Sequence, residues 1–208
     1  VTANWLARRA PDRSLIDGFS DSHWASDSDS HDGTLFSLDL DSLAPQAAAP
    51  HSPANAAAIT DHDSPQFTVA YIGACTGAKL DDLRAAAGML KSRTVASGTR
   101  LLVAPASRAD QAQAADEGVM AILESAGATI LATACGMCAG YGPNRLAADD
   151  VCISSTARNF RGRMGAPGSR VWLASPASVA AAAVTGRLTD PREMDPHGSP
   201  GNTIGGAS

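Results

Sequence analysis

With 208 residues, 44% of them hydrophobic, and a formal net charge of −5, the chain is long enough to bury its own core and too apolar to be disordered throughout. The acidic balance argues against a nucleic-acid-binding surface, and the longest purely apolar helical run, VAAAAV, is far too short to cross a bilayer. Four cysteines in a chain of this size, with no recognisable signal peptide, read as thiols in a reducing, cytoplasmic compartment rather than as two disulfides.

In chain order, residues 1–66 read as an irregular N-terminal arm. VTANWLARRA suggests one or two helical turns. DSHWASDSDSHDG is polar and turn-rich, and its Asp21-Ser22-His23 reads as a loop. TLFSLDLDSLAP alternates well enough to predict one edge strand over Leu35–Leu40, and prolines at 45, 50, 53 and 65 mark the rest as loop. From Phe67 the pattern becomes regular. FTVAYIG predicts a buried strand, Leu80–Leu90 a helix, RLLVAPA a strand, and ADQAQAADEGVMAILESAGA one helix closing near Gly127. TILATA, VCISST and VWLAS are further strands. SPASVAAAAVTG then carries Ser175 as N-cap, Pro176 at the first helical position and Gly186 past the end. Short apolar strands alternating with helices predict an α/β body over 67–190, a three-layer αβα arrangement on a mainly parallel sheet, followed by a tail over 191–208.

Functional residues in such a body belong at the carboxyl ends of its strands. Cys75 follows one strand, and Cys135 and Cys138 follow another. The Cys-x-x-Cys spacing alone fits half a zinc site, a redox pair or neither. Three thiolates at strand ends also suit an iron–sulfur cube with one iron free of cysteine, which would act as a Lewis acid rather than as an electron carrier. Gly73, Gly77, Gly136 and Gly140 would let backbone approach such a core, or are ordinary turn glycines. Cys152 precedes a β-like run and reads as core. A second constellation, CISSTARNFRGRMGAPGSR, crowds Arg158, Arg161, Arg163 and Arg170 into one segment. Arginine forks bind carboxylates two bonds at a time, and Ser154 and Ser155 offer further donors. The plainer alternative is a solvated loop paired with Asp149 and Asp150. The closeness of the loop to the cysteines favours an anion pocket.

Three stretches together resemble the aconitase superfamily, in the flavour of the large subunit of 3-isopropylmalate dehydratase. YIGACTGAKLDDLRAAAGML is similar to the family's glycine-x-cysteine-threonine-asparagine segment and its following helix. CGMCAGYGPNRLAADDVCISSTARNFRGRMG is similar to its Cys-x-x-Cys and arginine-loop segments, and SRVWLASPASVAAAAVTGRLTDPRE to the helix closing its third, cluster-binding domain. The resemblance covers Tyr71–Glu193 and extends loosely to LFSLDLDSLAPQ.

The resemblance implies a [4Fe-4S] cluster held by Cys75, Cys135 and Cys138, with one iron not ligated by cysteine. It implies that Arg158 and Arg163 serve catalysis by contacting substrate carboxylates or by supporting the site, and that Ser107 stands in a substrate-binding loop. It further implies a hydro-lyase or isomerase that dehydrates and rehydrates a hydroxy di- or tricarboxylic acid. The partners would be the remaining large-subunit-like α/β domains and a swivelling small subunit or domain. The pattern departs from the family at Gly77 and Ala157, where the family has asparagines, at Lys79 for arginine, and at Pro105-Ala106-Ser107 for Pro-Gly-Ser. A non-catalytic scaffold or regulatory subunit, with or without a metal site, is the alternative. A zinc-bound domain using Cys152 or a histidine is a third.

Overall fold

The computed structural model describes residues 34 and 36–194. The expectations for the first helical turns, for Asp21-Ser22-His23 and for the last fourteen residues of the tail lie outside the described residues. The chain divides into two compact units, Val1–Ser42 and Leu43–Ser208. In the first unit Phe36–Leu40 forms no strand, although its apolar residues alternate. Alternation without a pairing partner does not make a sheet, because the backbone N–H and C=O groups need an adjacent strand. Here Asp39 instead turns the chain locally, accepting from the Asp41 N–H at 3.1 Å.

The second unit is built on one seven-stranded sheet. Its strands are β1 (Gln46–Ala48), β2 (Ala56–Ala58), β3 (Val69–Ile72), β4 (Arg100–Val103), β5 (Ala128–Ile130), β6 (Val151–Ser154) and β7 (Arg170–Ala174). Their spatial order is β2-β1-β7-β6-β3-β4-β5. The five strands from β7 to β5 run parallel, while β1 pairs antiparallel with both β7 and β2. The sheet is therefore largely parallel and mixed, as the alternating pattern predicts. The segment read as arm, however, supplies two short strands to its edge. Prolines 45, 50 and 53 concealed them, and proline is tolerated at such an edge. This segment is tied into the body by buried Ile59 and by His62, whose ring stands edge-on to Trp172 at 4.9 Å.

Among the described residues four α-helices cover one face: α1 (Leu80–Leu90), α2 (Arg108–Asp116), α3 (Val119–Ser125) and α4 (Pro176–Thr185). α1 buries Leu83, Ala86, Ala87 and Leu90, the i, i+3, i+4, i+7 stripe of a helix with one apolar side. Asp81 and Asp82 sit in its first turn, where the helix dipole favours negative charge. α4 follows its sequence grammar. Ser175 accepts from the Ser178 N–H, Pro176 opens the helix, and Gly186 ends it with φ of 74°. Its buried alanines 180–183 let α1 and β3 approach closely. The single helix expected over 109–127 is broken in two, because Gly118 adopts φ of 76°, a left-handed conformation that cannot continue an α-helix.

The two faces follow the strand period of two. Ala70 and Ile72 of β3 point toward the helices, whereas Val69 and Tyr71 point the other way, with Leu102, Cys152 and Val171. Among the described residues the layer on that second face holds no α-helix. It consists of the 3-10 turn Gly136–Ala139 and irregular chain around Leu146 and Met164.

Candidate functional site

Because β6, β3, β4 and β5 are parallel, their carboxyl ends share one edge of the sheet. Each candidate residue emerges there. Cys75 lies in the loop after β3, Ser107 after β4, Cys135 and Cys138 after β5, and Arg158 and Arg163 after β6. The topology thus delivers all the expected segments to one rim.

What the side chains do there differs from several expectations. Cys75 and Cys135 are exposed, Cys138 is half-buried, and Cys152 is fully buried in the core, as its position before a β-run suggested. Burial pushes the Cys138 thiol up. The charge of the Arg163 guanidinium draws it back, and Cys135 and Cys75 add a smaller upward push. Burial also raises the Cys152 thiol, with Asp150 contributing in the same direction. Tyr71, wholly buried beneath this region, has its phenol raised by desolvation first and then by Cys138, Cys152 and Cys135.

The expected iron–sulfur cube is not supported by this arrangement. Among the described residues no group of three or more His, Cys, Asp or Glu side chains comes together to hold a metal ion, which also removes the zinc reading. The physical reasons are visible at each thiol. A metal ligand must be a thiolate, yet burial favours the neutral form of Cys138. Cys75 and Cys135 face solvent. Two of the glycines considered for close approach to a cluster are instead packed against the protein. A Cβ at Gly73 would lie 2.6 Å from the Tyr71 ring, and one at Gly77 would lie 2.1 Å from the Ser155 carbonyl oxygen.

Ser107 is the N-cap of α2. Its hydroxyl accepts from the Asp110 N–H at 3.0 Å and donates to the Asp110 carboxylate. That carboxylate also accepts from the Leu80 N–H at 3.2 Å, tying α2 to the start of α1. The hydroxyl offered as a substrate contact is therefore committed to a helix cap. Ser154 and Ser155 are likewise turned inward. Ser154 donates to Thr156 at 2.9 Å, and Ser155 contacts Gly73 and Gly77.

The arginine loop remains available. Asp150 does not neutralise it, since its carboxylate pairs with Arg100 at 3.4 Å and accepts from Thr68 at 2.8 Å. Among the described residues Arg158, Arg161, Arg163 and Arg170 form no ion pair. Arg158 is exposed, and the Nε of Arg163 is buried without a hydrogen-bond partner. The loop is anchored by a residue that the sequence did not single out. Asn159 is fully buried, and its amide donates to the carbonyls of Ala49 at 2.9 Å, Val171 at 3.2 Å and Ala48 at 3.4 Å. The only signal for it was an asparagine between two exposed neighbours, Arg158 and Phe160, which does not reveal a partner more than a hundred positions away.

Residues 62–186, more than half of the chain, match the aconitase family (aconitate hydratase). The chain belongs to that family. It is 45% identical over 157 residues to 3-isopropylmalate dehydratase large subunit 2 of Archaeoglobus fulgidus, covering 76% of this chain and 38% of that protein. It is 44% identical over 156 residues to the 3-isopropylmalate dehydratase large subunit of Herpetosiphon aurantiacus, covering 75% and 37%. To the homoaconitase large subunit of Thermus thermophilus it is 43% identical over 158 residues, covering 76% and 38%. The chain thus spans less than two fifths of the length of these relatives. Among the described residues no helix is long and apolar enough to cross a membrane.

Proposed function

We propose that this aconitase-family chain contributes one α/β domain to a hydro-lyase or isomerase acting on a hydroxy di- or tricarboxylic acid, of the isopropylmalate or homoaconitate kind. Arg158 and Arg163 receive substrate carboxylates. The observation that carries this reading is the buried Arg163 Nε without an acceptor, in a loop whose arginines Arg158, Arg161 and Arg163 form no ion pair among the described residues, inside an acidic chain. A buried cationic donor left unpaired is costly, and a carboxylate oxygen supplies the missing acceptor. The names of the relatives support the substrate class. The reaction removes a proton from one carbon and hydroxide from its neighbour, leaving an alkene and water; the reverse addition in the other sense isomerises the substrate. The arginines orient the acid by its carboxylates, so that the bond to be broken is presented the same way in each turnover.

The relatives' greater length supports a requirement for partners, namely the remaining large-subunit-like α/β domains and a swivelling small subunit or domain. The test is to combine the full chain with such companions and follow formation of the unsaturated acid from candidate hydroxy acids. Turnover that falls at least tenfold in Arg163→Ala and Arg158→Ala is expected, since each loses a charge-assisted pair of about 1.5–3 kcal/mol. Turnover unaffected by both would refute the assignment. The replacements at Gly77 and Ala157 favour a second reading, a subunit that retains the fold as a scaffold. Stable assembly without turnover on any hydroxy acid would select it.

A further inference from the structure

The loop from Gly73 to Lys79 joins β3 to α1 and carries Cys75 and Thr76 into solvent. On one side it is held from β4, where the Ala104 N–H donates to the Ile72 carbonyl at 2.8 Å and the Ala106 N–H donates to the Ala78 carbonyl at 2.9 Å. On the other side it is held by a single buried residue, Ser155, the first after β6. The Ser155 N–H donates to the Tyr71 carbonyl at 3.1 Å. Its hydroxyl accepts from the Gly73 N–H at 3.1 Å and donates to the Gly77 carbonyl at 2.8 Å. One side chain therefore touches the residues at both ends of the exposed turn. The match is steric as well as polar. A Cβ at position 77 would lie 2.1 Å from the Ser155 carbonyl oxygen, 2.7 Å from its Oγ and 2.8 Å from its Cβ. No L side chain enters there unless the loop or the end of β6 moves.

We infer that Ser155 is the positioning residue for the Cys75 loop, and that Gly77 is the counterpart that lets the serine close onto it. The inference rests on the reading that this rim is the functional one, but it concerns a contact within the chain. A hydroxyl that accepts at one end of a turn and donates at the other fixes the turn's span. Alanine in its place leaves the buried Gly73 N–H and Gly77 C=O unpaired, and the turn must open to hydrate them. Threonine keeps both bonds.

The test uses the full chain and no substrate. Amide hydrogen exchange is followed across residues 73–78 and across β3, β4 and β6 in the parent, Ser155→Ala, Ser155→Thr and Gly77→Ala. Alkylation of Cys75 is followed alongside, in a Cys135→Ser/Cys138→Ser background. Loss of the hydroxyl is expected to speed exchange in the loop about tenfold relative to the sheet strands and to change the Cys75 alkylation rate. Ser155→Thr should return both toward the parent, and Gly77→Ala should reproduce the Ser155→Ala loop. Loop exchange and Cys75 alkylation unchanged in a folded Ser155→Ala would overturn the inference, as would acceleration spread evenly over the whole sheet. If Ser155→Ala does not fold, parent-like loop exchange in Gly77→Ala overturns it. Absence of turnover with the companion domains, alongside the expected loop response, would sink the proposed function and leave this inference standing.

Discussion

Asn159 links the arginine loop to the seam where β1 meets β7, and removing its side chain tests whether that seam holds the loop. Two amide protons serve three carbonyls, at 2.9, 3.2 and 3.4 Å, so two net hydrogen bonds are at stake. At about 0.5–1.5 kcal/mol each they are worth roughly 1–3 kcal/mol. The Oδ1 is buried without a partner, so its removal recovers part of this, while the carbonyls left unpaired in the interior add to the loss. Asn159→Ala is expected to destabilise the chain by about 2 kcal/mol, a sizeable fraction of a typical folding free energy. Asn159→Asp keeps the volume but turns an acceptor toward three carbonyls, and is expected to cost more, about 3 kcal/mol or above. Urea unfolding at fixed pH measures both. With a slope of roughly 2 kcal/mol per molar urea, the alanine midpoint falls by about 1 M without a change in slope. Aspartate as benign as alanine, or alanine within about 0.5 kcal/mol of the parent, would refute the reasoning.

Two glycines should respond oppositely to the same substitution. Gly88 lies exposed inside α1 with open space around its Cα, so Gly88→Ala should stabilise the chain by about 0.5–1 kcal/mol in thermal or urea unfolding. Gly165 has φ of 152°, and its added Cβ would meet the Leu146 backbone oxygen and nitrogen near 2.5 Å, so Gly165→Ala should destabilise by about 2 kcal/mol or more. Burial raises the Cys152 thiol above its ordinary value of 9.0, so the folded state holds that proton more tightly than the unfolded chain. This contribution to stability is present in full below the unfolded thiol's pKa and is lost as pH climbs from there toward the raised folded value. Unfolding free energies measured from neutral pH upward should decline over that range, and Cys152→Ala, though less stable at pH 7, should decline less steeply.

Much of the fold was legible because its signals are local. α4 announces itself through Ser175, Pro176 and Gly186, each of which acts within one turn of its own position. β3, β4, β6 and β7 are buried runs bounded by turns, and their parallel pairing follows from the helices and long connections between them. The edge strands were not legible. Gln46–Ala48 and Ala56–Ala58 are three residues each, with no alternation to read, whereas Phe36–Leu40 alternates and pairs with nothing among the described residues. Gly118 falls inside the stretch read as one helix, because sequence does not show which glycine will take a positive φ. At the site, strand ends told which segments reach the rim, because parallel topology fixes that. The conformation of the loops beyond those ends is set by contacts across the sheet. The spacing of Cys75, Cys135 and Cys138 therefore did not determine whether three sulfurs could close on one point. The cap formed by Ser107 was not singled out for the same reason, since its spacing to Asp110 suits a cap as much as a ligand loop.

The two positions where this chain lacks the asparagines of the family pattern are physically different, and the segment after β6 explains why. From Ser154 to Asn159 each buried polar side chain finds a partner within the fold: Ser154 with Thr156, Ser155 with the Cys75 loop, and Asn159 with β1 and β7. Ala157 and Arg158 are the exposed residues between these anchors. An amide introduced at 157 has solvent to occupy and displaces no anchor, so Ala157→Asn should leave stability within about 0.5 kcal/mol of the parent. An asparagine at 77 has no such space. Its Cβ alone overlaps the Ser155 carbonyl, and relief requires moving either the buried end of β6 or the turn that carries Cys75. Gly77→Asn should therefore lower the urea midpoint where Ala157→Asn does not. Making Ser155→Ala in the same chain would remove the Oγ overlap but leave the backbone oxygen in place, and so should recover little of the loss. A Gly77→Asn chain as stable as the parent would mean that the turn yields readily, and the case for a loop fixed by its two glycine ends would fail with it.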